Sequence, residues 1–222
     1  MLDDKFFRIG TYLLVCIYGF IMLYFYLHIE SKCPDEVMFW SISDNIRIDS
    51  IKDIFLLPNY LGYGSFYWLI LYLSKTFLLS RIIQCISLVS IPLLAVYILD
   101  SLFGIQYSKI FWIIIFYLSM PLSWFTGKII GPEIIGTFIG AVSITIFLSC
   151  MEKYKVKILI LLSGILLGIS IGIKTYNVVF AVFMIFVCLL YYKNHKIVLY
   201  IIVSSIIGIL ISNPIIIFDI NT

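Results

Sequence analysis

The feature that most constrains this chain is its succession of long, uncharged apolar runs. A run of about 18 or more such residues reads as a membrane-crossing helix, because within hydrocarbon a helix satisfies every backbone N–H and C=O by itself. Seven stretches read as spans, near residues 9–29, 82–99, 110–127, 134–151, 158–173, 175–192 and 197–218. The expected fold is therefore all-α, a polytopic transmembrane helix bundle of about seven spans forming a single module over residues 1–222. Composition agrees: 63% hydrophobic and 12% charged residues leave too little polar surface to clothe a soluble domain. A net charge of +3 scattered among apolar runs makes no basic face, so nucleic acid is excluded as a partner.

Cysteine and histidine supply no metal centre. Cys16, Cys85, Cys150 and Cys188 sit inside apolar runs and read as small hydrophobes, Cys33 stands alone in a polar stretch, and His28 and His195 lie far apart in the chain. The N-terminal Lys5 and Arg8 precede an apolar run too long for a signal peptide, with no small-residue cleavage site after it, so it is expected to stay as the first span.

Orientation follows from the lysines. Lys153, Lys155 and Lys157 in one break, and Lys193 and Lys196 in another, belong in the cytoplasm by the positive-inside rule. Counting back through the spans puts Arg81 outside; with Lys5 and Arg8 inside, residues 30–81 become one external loop. An eighth apolar stretch, 54–74, holds Pro58, Asn59, Gly62 and Gly64 in its first half and is crowded with aromatic residues, as suits an interfacial helix. The rival arrangement has eight spans and an external N-terminus, which strands Lys5 and Arg8 on the wrong side. Earlier in the loop, Met38, Ile42 and Ile46 recur at helical spacing opposite Ser41, Asp44 and Asn45, the pattern of an amphipathic helix lying on the membrane. Pro34 suits its first position, and Asp35 and Glu36 its first turn.

Half of the acidic residues lie in this loop: Glu30, Asp35, Glu36, Asp44, Asp49 and Asp53. Asp35 and Glu36 are candidates for general acid–base work, against the plain reading that they complement a helix dipole. Glu133 follows Pro132 at the start of a span on the same expected face, where it caps a helix or serves chemistry. Lys174 interrupts an otherwise continuous apolar run at an external position; it snorkels, or it meets an anionic ligand such as a lipid phosphate. Arg81 and Lys128 add basic groups at that level. Charges gathered at one membrane face and absent from its middle fit an interfacial active site better than a permeation path.

The order of segments, CPDEVMFWSISDNI, LPNYLGYGSFYWLI, LSRIIQCIS, GKIIGPEIIG and LLGISIGIKTYN, resembles the GT-C glycosyltransferases, in the branch of the protein O-mannosyltransferases and the bacterial aminoarabinose transferases. The resemblance runs loosely over nearly the whole chain. It implies transfer of a sugar, with inversion, from a polyprenyl-phosphate donor to a glycan, lipid or protein acceptor at the external face. It implies that Asp35 is the catalytic carboxylate with Glu36 beside it, that Glu133 is a second acidic position where Asp is commoner, and that Lys174 contacts the donor phosphate, with Arg81 in a donor or structural role. It also implies two interfacial juxtamembrane helices, at 35–47 and 65–79. Some relatives use a divalent cation, for which Glu36 and Glu133 supply oxygen ligands. Family members continue beyond seven spans, so the C-terminal family region is expected to be absent here. The competing expectations are a transporter, a polysaccharide flippase or polymerase component, and an inactive fragment. Isoleucine excess and alanine scarcity point to a bacterial plasma membrane.

Overall fold

The structure is a computed structural model and describes residues 4–28, 69–70, 72–73, 77–119, 131–151 and 157–213, together with the single positions Val37 and Ser41. Seven α-helices are bounded within these residues: α1 Asp4–His28, α2 Phe77–Phe103, α3 Tyr107–Ser119, α4 Pro132–Ser149, α5 Lys157–Ile173, α6 Val178–Leu190 and α7 His195–Ser212, with a 3-10 turn Thr175–Asn177 leading into α6. No strand occurs among the described residues. Each helix falls on one of the seven apolar runs. Four of them, α1, α2, α4 and α7, are long and apolar enough to cross a membrane; α3, α5 and α6 with its leading turn are shorter apolar helices. The expectation of about seven spans is thus met in its coarser form, an all-helical multi-pass membrane chain.

The helices alternate in direction. At one end, the Arg8 guanidinium lies 5.5 Å from the centre of the Tyr107 ring, and the Tyr107 hydroxyl donates to Asp100 Oδ2 at 3.3 Å. This contact joins the start of α1, the end of α2 and the start of α3, so α1 and α2 run antiparallel and α3 returns alongside α1. The Phe7 and Phe111 rings, edge to face at 5.6 Å, join α1 to α3 again at the same end. At the far end lie the last turn of α1 and the first turn of α2, and the intervening segment 29–76 starts and finishes there. The sequence places Asp35 and Glu36 in that segment, outside the described residues. Its described positions Val37, Ser41, Leu69, Ile70, Tyr72 and Leu73 are helical.

The second half is tied together by small residues. α4 and α5 pack antiparallel: Ser143 Oγ donates to the Ser163 carbonyl at 2.7 Å, and Ser170 Oγ donates to the Gly136 carbonyl at 2.6 Å. α5 and α7 pack parallel through a stripe of residues four apart. Gly164 abuts Ser204, Gly168 abuts Gly208, and Gly172 abuts Ser212 and Asn213. A methyl group on Gly168 would sit 2.8 Å from the Gly208 Cα and would run into the Ser205 carbonyl oxygen, so only hydrogen fits at this crossing. Between helices in lipid, where burying apolar surface gains little, such close backbone approach supplies van der Waals contact instead. The first half is held by a separate cluster around Val15, Tyr18, Met22, Leu88, Val96 and Ile114.

One consequence of the alternation concerns charge. Lys5, Arg8, Lys157, Lys193 and Lys196 all fall at the end of the bundle that carries the Arg8–Tyr107–Asp100 contact. The starts of α2, α4 and α6 and the finishes of α1, α3, α5 and α7 fall at the other.

Candidate functional site

The end of the bundle away from Lys157, Lys193 and Lys196 holds the described candidates. α4 begins there because Gly131, extended at φ −151° and ψ 157°, precedes Pro132, whose fixed φ suits a first helical turn. Glu133 follows within that turn, with no side-chain cap on the helix N-terminus. α5 finishes beside it. Lys174 leaves the helix in an extended conformation, φ −148° and ψ 119°, and its N–H donates to the Ser170 carbonyl at 3.1 Å.

Lys174 Nζ lies 3.1 Å from Glu133 Oε1. Antiparallel neighbours bring the positive pole of α4 and the negative pole of α5 side by side, and each of these charges sits at the pole that favours it. The pair is not sealed: the Lys174 side chain is 25% exposed and that of Glu133 41%. An ion pair so open contributes at most about 1 kcal/mol to stability, and its charges stay accessible to a ligand.

Two asparagines hold this corner. Asn177, fully buried, donates through Nδ2 to the Ser170 carbonyl at 3.1 Å, and its backbone N–H donates to the Lys174 carbonyl at 3.0 Å. Asn213 donates through Nδ2 to the Gly172 carbonyl at 3.2 Å. The last turn of α5 leaves carbonyls short of backbone donors: Asn213 supplies one to Gly172, and Asn177 adds a second donor to the Ser170 carbonyl, which already accepts from the Lys174 N–H. Asn177 also fits against α4, because a methyl group on Gly136 would lie 2.6 Å from its Nδ2.

Arg81 shares this level by register. Tyr97 and Ser149 join α2 to α4 through a hydroxyl–hydroxyl hydrogen bond of 2.7 Å. Arg81 and Glu133 each precede that contact by sixteen residues on helices that run the same way, so each stands about 24 Å from it at 1.5 Å per residue. The Arg81 side chain is enclosed, at 4% exposure, within a polar strip of α2 that continues through Ser80, Gln84 and Ser87.

Of the sequence candidates, the structure therefore brings Glu133 and Lys174 into contact and sets Arg81 at their level. Asp35, Glu36 and Lys128 lie outside the described residues. Among the described residues no three of His, Cys, Asp and Glu converge as a metal site would require. Sequence reasoning missed Asn177 and Asn213, whose signal was a lone amide at each edge of an apolar run. An open groove of about 360 Å³ between α1 and α2, lined by Cys16, Gly19, Leu23, Ile82, Cys85 and Val89 among others, is almost wholly apolar and offers no chemistry.

Comparison of the chain with known protein families, with curated proteins and with solved structures finds no match.

Proposed function

We propose that the chain is the catalytic module of a membrane glycosyltransferase of the GT-C kind, moving a sugar from a polyprenyl-phosphate donor to a hydroxyl acceptor at the outer face of a bacterial plasma membrane. The observation that carries this reading is the Glu133–Lys174 ion pair, open to solvent at the end of the bundle from which the Asp35 segment springs. In this reading all seven helices cross the bilayer, the shorter ones in a locally thinned region. Lys157, Lys193, Lys196 and the N-terminal Lys5 and Arg8 face the cytoplasm, in keeping with their shared end.

The chemistry divides between two sets of side chains. Asp35, as a carboxylate, takes the proton of the acceptor hydroxyl while that oxygen attacks the anomeric carbon. The bond between the anomeric carbon and the phosphate oxygen breaks on the opposite side, and the electron pair leaves with that oxygen. Lys174, with Arg81 and Lys128 contributing positive potential, stabilises the charge that builds on the departing lipid phosphate. Glu36 lies beside the base. A divalent cation, where one takes part, would draw on Glu36 and Glu133 as hard oxygen ligands.

The test is transfer of radiolabelled sugar from a polyprenyl-phosphate donor in membranes holding the full chain. Asp35→Asn and Lys174→Ala are expected to lower transfer at least about a hundredfold, the usual scale for a lost general base or charge-stabilising group. Transfer that survives Asp35→Asn unchanged refutes the assignment of the base, and a wild-type chain that transfers nothing refutes the activity.

A further inference from the structure

Glu133 holds the position on Lys174 that an incoming anion needs. The Glu133 side chain can swing away, being 41% exposed, but its backbone cannot follow. Pro132 fixes the turn before it, and Ile134 and Ile135 after it are buried. A ligand that displaces Glu133 from Lys174 therefore keeps a carboxylate as its neighbour. We infer that Glu133 is a resident counter-ion that admits a lipid phosphodiester to Lys174 but disfavours a lipid phosphomonoester, and thereby drives product release.

This rests on the reading of Lys174 as the donor-phosphate ligand, and it gives Glu133 a role other than base or metal ligand. The donor is a diester with one negative charge. Transfer breaks its bond to the anomeric carbon, passes the acceptor proton to Asp35 and leaves a monoester with close to two negative charges at neutral pH. Exchange of Glu133 for the diester on Lys174 is charge-neutral. The product adds one further negative charge beside Glu133, and at about 5 Å in a medium between protein surface and water that repulsion amounts to roughly tenfold in affinity. Without Glu133, Lys174 and the uncapped N-terminus of α4 would hold the dianion and stall turnover.

The test is calorimetric titration of the purified full chain in detergent micelles at pH 8 with two probes, dodecyl phosphate and its methyl diester. Glu133→Gln, and Glu133→Ala as a second variant, are expected to tighten dodecyl phosphate about tenfold more than they tighten the diester. Lys174→Ala is expected to weaken both. If Lys174→Ala weakens both probes while the Glu133 variants change them equally or not at all, the counter-ion role is overturned and the donor-phosphate reading stands. If the wild-type chain takes up neither probe, the donor-phosphate reading fails and this inference with it.

Discussion

Replacing Gly168 by alanine is expected to separate α5 from α7. The added methyl group would lie 2.8 Å from both the Gly208 Cα and the Ile209 nitrogen, whereas carbon atoms in good contact sit about 3.5–4.0 Å apart. Both neighbours are backbone, so no rotamer relieves the clash and the helices must part by roughly 1 Å. A gap of that size forfeits a quarter to a half of each dispersion contact along the stripe, and overpacking of this kind costs about 1–3 kcal/mol. Alanine gains up to about 1 kcal/mol over glycine in helix propensity, which brings the net loss down to about 0–2 kcal/mol. The assay is unfolding of the purified chain in mixed micelles by added dodecyl sulfate, followed by circular dichroism. Gly10→Ala is the control, since its methyl group meets only the edge of the Phe111 ring at 3.2 Å, a side chain that can give way. That variant should match or slightly exceed wild-type stability. Should Gly168→Ala prove as stable as Gly10→Ala, close backbone contact is not what holds α5 to α7, and the argument fails.

Other outcomes follow from the same geometry. Asn177→Ala removes a buried amide donor from the Ser170 carbonyl, which keeps the Lys174 N–H, and is expected to lose about 0.5–1.5 kcal/mol in the same unfolding assay. Asn177→Ser, which restores a shorter donor, should recover part of it. A double-mutant cycle on Glu133→Gln and Lys174→Ala should give a coupling of no more than about 1 kcal/mol, because the pair is open to solvent; a coupling of several kcal/mol would show a desolvated pair instead. Tyr97→Phe should cost only about 0.6 kcal/mol, the mean for an interhelical hydrogen bond in a membrane, read from the same titration. Cysteine at Ser43, in a chain stripped of its native cysteines, should react with a membrane-impermeant thiol reagent in intact cells; reaction only after lysis would reverse the orientation.

The helices were legible because apolar runs are long and the breaks between them carry charge. Their ends were less so. α1 starts at Asp4 and α2 extends from Phe77 to Phe103, taking in Arg81 and Asp100, since helical hydrogen bonding continues past the hydrocarbon into the interface where charged side chains are tolerated. That Glu133 and Lys174 share a face followed from parity alone. That they touch depends on the register of α4 against α5, which is set by Ser170 reaching the Gly136 carbonyl and by Asn177 fitting against Gly136. Such contacts are tertiary and leave only faint marks in one sequence. The marks that do exist are the small residues repeated every fourth position, Gly164, Gly168 and Gly172 in one run and Ser204, Gly208 and Ser212 in another, a spacing that in an apolar helix signals a close crossing.

That crossing also has an order in time. A chain made from its N-terminus completes α5 some forty residues before the matching turns of α7 exist, so the glycine face of α5 first meets lipid alone. α4 can already flank α5 through Ser143 and Ser170, but the corner that carries Lys174 gains its Asn213 cap only when α7 has arrived. Assembly of the end that carries Glu133 and Lys174 is therefore a late event, and a ribosome halted before Ser204 would release a bundle whose Lys174 corner is still unfinished.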